Sequence, residues 1–126
     1  MRKGKIIPNG VILEMHENTT VVFLTECGFD IELIPLSHRK GAKTADLIMG
    51  GVEWEMKAPM GDSKYTIEHA FRAALKQSPN IIFDLRRSKM SQQKCIREIV
   101  KRFENSGIAQ RLLIIPKSKK MLDFEK

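Results

Sequence analysis

A Gly50-Gly51 pair between two short apolar-rich runs limits what the middle of this chain can form. Two glycines joining such runs are typical of a tight β-hairpin, because both central residues of its turn take backbone angles that glycine tolerates. Side chains alternate between the two faces of a strand. The face of the second strand that we expect to meet the core therefore carries Val52, Trp54 and Met56.

The opposite face of this hairpin collects charged side chains. Asp46 shares a face with Ile48 on the first strand, and Glu53, Glu55 and Lys57 share a face of the second. Carboxylate oxygens are the ligands that Mg²⁺ and Mn²⁺ prefer. A lysine beside such a metal can orient or deprotonate a water, or stabilise charge that develops on a phosphate. The hairpin therefore predicts a metal site built on Asp46 and one or both glutamates.

Length and composition predict a single compact domain over residues 1–126. The 126 residues can enclose one core, and 42% hydrophobic with 29% charged residues is ordinary for a globular protein. No apolar run reaches the about 18 residues that a membrane span needs. The basic N-terminus and Ile6-Ile7 are interrupted by Pro8-Asn9-Gly10, so we expect neither a signal peptide nor a membrane partner, and an intracellular site of action.

The charge of the chain indicates an anionic partner. The net charge is +7, with 22 basic and 15 acidic residues. An excess of this size favours nucleic acid, although a merely soluble basic surface is the alternative. Candidates for phosphate contacts flank the hairpin and a later strand, and each is otherwise a solvated loop charge: Lys43, Lys64, Arg86 and Arg87.

The cysteines and histidines predict no zinc site or disulfide framework. Cys27 and Cys95 are the two cysteines, and we expect both in the core. His16-Glu17 begins like a zinc-protease motif, but Thr20 stands where the second histidine would be needed.

Hydrophobic periodicity predicts an α/β fold with a mixed central sheet flanked by helices. The expected order is a helix from about 9 or 10 to 27, a strand over 30–36, a basic loop over 37–43, the hairpin, a helix from 65 or 66 to 77, a strand over 81–85, a helix after the cap Ser91 to 105, a strand over 112–115 and an edge strand over 121–124.

An aspartate followed by Glu-x-Lys across a hairpin, after a helix, resembles the core pattern of the PD-(D/E)XK nuclease superfamily, which has the restriction-endonuclease-like fold. Longer segments resemble the C-terminal toxin domain of contact-dependent growth inhibition (CdiA-type) proteins, in its tRNA-nuclease branch. The resemblance extends from about His16 to Phe124. Its most specific segments are Trp54-Glu55-Met56-Lys57-Ala58-Pro59 and Gln77-Ser78-Pro79-Asn80.

This resemblance implies a metal-dependent endonuclease that cleaves tRNA. By position, Asp46 and Glu55 bind the metal, which is Mg²⁺, or alternatively Mn²⁺ or Zn²⁺, and Lys57 assists the attacking water. A carboxylate from the first helix completes such sites. Glu17 is the best match for it, and Glu14 is the alternative about one turn away.

The resemblance also implies an acidic immunity protein as a partner and action in the cytoplasm. The family's toxins end a very long secreted protein, whereas for this sequence, which starts at Met1, we expect no delivery region. An excised domain, a free-standing relative and a domesticated nuclease with another substrate all remain open. A DNA endonuclease of the same fold and a non-catalytic nucleic-acid-binding module are the alternative functions.

Overall fold

The structure is a computed structural model, and it describes residues 2–36 and 44–126. The predicted basic loop over 37–43 lies outside these residues. In chain order, the described elements are β1 (Ile6–Ile7), α1 (Met15–Glu26), β2 (Ile31–Leu33), β3 (Leu47–Met49), β4 (Val52–Lys57), α2 (Thr66–Leu75), β5 (Asn80–Asp84), α3 (Gln92–Asn105), β6 (Arg111–Ile115) and β7 (Leu122–Glu125).

All seven strands form one mixed sheet in which spatial order follows chain order. β1 is parallel to β2, and β2, β3 and β4 are mutually antiparallel neighbours. β4, β5 and β6 run parallel, and β7 closes the sheet antiparallel to β6. The predicted α/β fold with a mixed sheet flanked by helices is confirmed. Because β4, β5 and β6 are parallel, they end at the same side of the sheet, which we call the carboxyl edge.

The predicted hairpin is present with the predicted faces. Gly50 and Gly51 have φ angles of +63° and +76°, which glycine adopts without steric cost. Leu47 pairs with Trp54 across the hairpin. Trp54 is 1% exposed, and its indole Nε1 donates to the carbonyl of Met49 over 3.0 Å. The tryptophan therefore anchors the hairpin in the core, and the charged side chains of β4 lie on the opposite face of the strand.

Two hydrophobic layers cover the two faces of the sheet. Val21 and Leu24 of α1 pack on the face that carries Trp54 and Met56. Side chains of α2 and α3 cover the other face, and this second cluster includes Phe71, Phe83, Ile99, Phe103 and Ile114. In the described part of the chain, no helix has both the length and the apolar composition that a membrane crossing requires.

The largest difference from the sequence prediction is the start of the first helix. We expected it near Asn9 or Gly10, but α1 begins at Met15. Asn9 and Gly10 have φ angles of +49° and +77°, so they form a turn after β1. The strand β1 itself was not predicted from the sequence. The expected strand over 30–36 is also shorter, because the strand covers only Ile31–Leu33 and its pairing to β3 only Glu32 and Leu33. The Ser91 cap is confirmed, since its hydroxyl accepts from the Lys94 amide over 3.4 Å.

Candidate active site

A cavity of about 280 Å³ lies at the carboxyl edge, beside the end of β4. Side chains from α1, the hairpin, α2 and the loop after β5 meet there. The structure thus brings together the four predicted catalytic residues, although they come from separate segments of the chain. The lining residues are His16, Glu17, Thr20, Asp46, Glu55, Met56, Lys57, Ala58, Pro59, Ala70 and Arg87.

Backbone hydrogen bonds of the hairpin hold Asp46 in place. The Asp46 amide donates to the Trp54 carbonyl over 3.0 Å, and Oδ2 of Asp46 accepts from the Met56 amide over 2.7 Å. Just before it, the Thr44 amide donates to Oε1 of Gln77 over 2.9 Å, which ties this segment to the end of α2. Because two hydrogen bonds to β4 fix Asp46, its carboxylate stays beside Glu55 of the same strand.

Glu55 is a buried carboxyl group whose pKa is far from its ordinary value. Burial and the neighbouring Asp46 raise the pKa of Glu55 to about 8, against the opposing effect of Lys57. Oε2 of Glu55 lies 3.5 Å from Nζ of Lys57. The pKa of Asp46 is also raised, chiefly by burial, although the hydrogen bond from Met56 opposes this. Without a cation, the two carboxyl groups therefore favour a shared proton over two negative charges.

The carboxyl pair fits a hard divalent cation. Glu55 is 7% exposed, and its Oε1 has no hydrogen-bond partner, which is costly for a buried oxygen. A bound cation would supply the missing partner and offset the repulsion from Asp46. Within the described residues, no set of three or more histidine, cysteine or acidic side chains is arranged to hold a metal ion. The donor set in the described residues is therefore the pair Asp46 and Glu55, and Glu17 lines the same cavity.

Glu17 lies on the first turn of α1 and lines the same cavity. Its Oε1 accepts from the Glu14 amide over 3.0 Å, so the side chain also caps the helix. The negative charge of Glu17 contributes to the raised pKa of Asp46. Glu14 is exposed and does not line the cavity, and its carboxylate lies 3.5 Å from Nδ1 of His16. The position of Glu17 therefore favours it over Glu14 as the third carboxylate.

Glu53 occupies the same face of β4 as Glu55, but it is exposed and does not line the cavity. Its carbonyl oxygen accepts from the side chains of Ser78 and Asn80, each over 3.0 Å. The Gln77-Ser78-Pro79-Asn80 segment thus positions β4 through the backbone. Of the two glutamates that the alternation left open, Glu55 is the one beside Asp46.

A second cavity, of about 400 Å³, adjoins the first and shares His16, Ala58 and Arg87 with it. Asp84, at the end of β5, lies in its wall and is 4% exposed. Oδ2 of Asp84 accepts from Oγ1 of Thr20 and from a terminal nitrogen of Arg86, each over 2.7 Å.

Burial acts to raise the pKa of Asp84, but these hydrogen bonds lower it overall. The sequence prediction missed this cluster, although a polar residue at the end of a buried parallel strand is a usable indication of a site.

The four predicted phosphate-binding residues lie in different places. Arg87 lines both cavities, and its Nε donates to the Ala58 carbonyl over 2.6 Å. Arg86 lines the second cavity, where its guanidinium is held by Asp84 and stacks 4.6 Å from the ring centroid of Phe23. Lys64 is exposed outside both cavities, and Lys43 lies outside the described residues.

The fold and this site define an α/β domain whose central hairpin presents two carboxylates and a lysine at one sheet edge. The model of the family described as the contact-dependent growth inhibition CdiA C-terminal domain matches residues 43–121. The chain therefore belongs to this family of growth-inhibition toxin domains.

One solved structure, of the CdiA-CT/CdiI toxin and immunity complex from Burkholderia pseudomallei, contains a similar chain. The two chains have 16% sequence identity and a TM-score of 0.69, and the likeness covers 98% of this chain and 100% of the other. At this identity the likeness shows a shared fold. A comparison with curated protein sequences gave no match.

Proposed function

We propose that this toxin domain is a metal-dependent endoribonuclease of the PD-(D/E)XK type and that its substrate is tRNA. The observation that carries the proposal is the buried Glu55 beside Asp46, with Nζ of Lys57 3.5 Å from Oε2 of Glu55. Family membership supports a toxic activity, and the net charge of +7 supports a nucleic acid substrate. The choice of tRNA rests on the sequence resemblance.

In this proposal Asp46, Glu55 and Glu17 hold Mg²⁺, with Mn²⁺ or Zn²⁺ as alternatives. When bound, the ion polarises the scissile phosphate and lowers the pKa of a water. The Lys57 ammonium orients that water or stabilises negative charge on the phosphate oxygens. The water oxygen forms a bond to phosphorus, the bond from phosphorus to the leaving sugar oxygen breaks, and the proton that the water loses is balanced by one that the leaving oxygen gains.

The test is digestion of total tRNA and of plasmid DNA side by side, with and without Mg²⁺. We expect wild-type protein to cleave tRNA with Mg²⁺, and we expect Asp46→Ala and Lys57→Ala to lose this activity. Full cleavage by both variants would rule out the site. Preferential cleavage of plasmid would instead indicate a DNA endonuclease. Absence of metal-dependent cleavage, with nucleic acid binding retained, would indicate a non-catalytic module.

We also propose that an acidic immunity protein binds this domain and that the domain acts in the cytoplasm. The similar Burkholderia pseudomallei structure is a complex of a toxin with an immunity protein, and the basic surface of this chain suits an acidic partner. We expect cytoplasmic expression of the chain to arrest growth, and Asp46→Ala to be tolerated. If wild type and Asp46→Ala are equally toxic, the toxicity does not depend on the carboxylate site.

A further inference from the structure

The turn between β6 and β7 carries three exposed lysines at the carboxyl edge. We call Lys117, Lys119 and Lys120 together the lysine turn. β6 lies two strands from β4 in the sheet, which corresponds to about 10 Å at the spacing of neighbouring strands. The lysine turn lies just after the end of β6, and the cavity with Asp46 and Glu55 lies just after the end of β4. Both are therefore on the carboxyl edge of the sheet.

Hydrogen bonds fix the backbone of the lysine turn. The Lys119 amide donates to the Pro116 carbonyl over 2.9 Å. Oε1 of Gln92, the first residue of α3, accepts from the Lys117 amide over 3.1 Å. Nε2 of Gln92 donates to the Leu85 carbonyl over 3.0 Å. The Gln92 side chain thus connects the backbone of the lysine turn to the segment that leads to Arg87, so the turn holds a fixed place along the edge.

The lysine turn is unfavourable for the stability of the fold alone. Lys119 has a φ angle of +66°, a left-handed conformation that glycine or asparagine adopts at lower cost. Within residues 2–36 and 44–126, no ion pair involves any of its three lysines. Three like charges close together on a fixed turn repel one another. Strain and unbalanced charge beside a candidate site indicate a functional role.

We propose that the lysine turn binds backbone phosphates of the RNA substrate near the phosphate that is cleaved. This inference rests on the proposed nuclease function, because it places the RNA backbone along the edge from the carboxylate cavity towards β6. Ammonium groups bind phosphates as point charges without distinguishing the bases, and they displace counterions from the nucleic acid. The contact should therefore be independent of sequence and strongly dependent on salt.

The experiment compares Lys117→Ala/Lys119→Ala/Lys120→Ala with a control triple variant of equal charge change. The control replaces Lys76, Arg97 and Lys101 by alanine. Lys76 is an exposed residue at the end of α2, and the other two are exposed residues of α3. Affinity for total tRNA is measured without divalent cations over a range of salt concentrations, and circular dichroism confirms that both variants fold.

The affinity for tRNA falls as salt rises, and we expect this dependence to be shallower in the lysine-turn variant. The magnitude of the slope of log affinity against log salt should decrease by about 2 to 3, which corresponds to the loss of three phosphate contacts. A fourfold rise in salt should then weaken the variant's binding about 16- to 64-fold less than it weakens wild-type binding. The control variant should change the slope much less. Equal effects of the two triple variants, or no effect of the lysine-turn variant, would overturn the proposal.

A single substitution gives an independent check. Lys119→Gly removes one charge and also relieves the left-handed backbone strain. We expect this variant to melt at a higher temperature than wild type and to bind tRNA more weakly. Unchanged tRNA affinity would show that the strain serves another purpose and would count against the RNA contact.

A failure of the proposed nuclease function can be distinguished from a failure of the proposed RNA contact. Asp46→Ala removes a carboxylate of the cavity and leaves the lysine turn intact, so it should lose cleavage and keep the affinity and salt slope of wild type. If Asp46→Ala cleaves normally while the lysine-turn variant binds poorly, the RNA contact stands and the catalytic assignment falls. If the lysine-turn variant keeps tRNA affinity and instead loses binding to an acidic protein partner, the RNA contact is wrong.

Discussion

At the scale of single residues, Glu55 is the group whose chemistry depends most on its surroundings. Its neighbours Asp46 and Lys57 lie on the same hairpin, so the grouping follows from strand alternation and is predictable from sequence. Its burial is not predictable in this way, because it depends on how α1 and α2 close over the edge. The two glutamates Glu53 and Glu55 look alike in sequence, and the packing of the fold separates them.

The raised pKa of Glu55 predicts how stability changes with pH in metal-free protein. In the unfolded state the Glu55 carboxyl releases its proton near pH 4.5, whereas in the native state it keeps that proton until about pH 8. The native state therefore loses stability as the pH rises through this window. Glu55→Gln cannot ionise, so we expect its unfolding free energy to fall less than that of wild type between these pH values.

Chemical denaturation in the presence of a chelator, repeated across pH, measures this difference. If the site holds Mg²⁺ as proposed, the ion should stabilise wild-type protein more than Glu55→Gln, because only wild type offers it an ionised carboxylate at this position. Identical pH profiles of the two proteins would contradict the raised pKa.

Lys57 gives a kinetic prediction. Its side chain is 29% exposed and pairs with Glu55, so its loss should leave the fold intact. We expect Lys57→Ala to lower kcat for tRNA cleavage by about 10²- to 10³-fold, the range seen when one stabilising group is removed from a reacting centre. Affinity for tRNA should change little. A variant with normal kcat and weaker tRNA binding would make Lys57 a binding residue instead.

At the scale of elements, the hydrogen bond between Thr20 and Asp84 joins α1 to β5 across 64 positions of sequence. Local patterns cannot predict such a contact, whereas the Gly50-Gly51 turn and the Ser91 cap were predictable because each depends on neighbouring residues. The start of α1 was mispredicted. Asn9 and Gly10 form a left-handed turn, and the helix begins only after Glu14, whose backbone is extended.

The cluster around Asp84 predicts a large effect on stability. Asp84→Ala leaves the guanidinium of Arg86 without its carboxylate partner, and we expect it to lower the unfolding free energy by about 3 kcal/mol. Asp123→Ala breaks the exposed pair with Arg111 and should cost less than about 1 kcal/mol. Urea unfolding at neutral pH compares the two variants, and similar losses would contradict a structural role for the Asp84 cluster.

At the scale of the whole molecule, the parallel arrangement of β4, β5 and β6 places residues from distant segments at one edge. Sequence patterns predicted the elements from α1 onwards and the α/β class, but not β1 or the order of the strands in the sheet. The sequence could not predict which arginine and lysine side chains lie beside the carboxylates, because their positions depend on the order of the strands. Arg87 lines both cavities, whereas Arg86 is held by Asp84.

We propose that the pair Asp46 and Glu55 forms the catalytic site of a metal-dependent nuclease. The most direct test is Mg²⁺-dependent cleavage of total tRNA by Glu55→Gln and by the matched control Glu53→Gln, which has the same chemistry on the same face of the same strand. We predict that Glu55→Gln loses cleavage and that Glu53→Gln retains it. Normal cleavage by Glu55→Gln, or equal loss in both variants, would contradict the assignment.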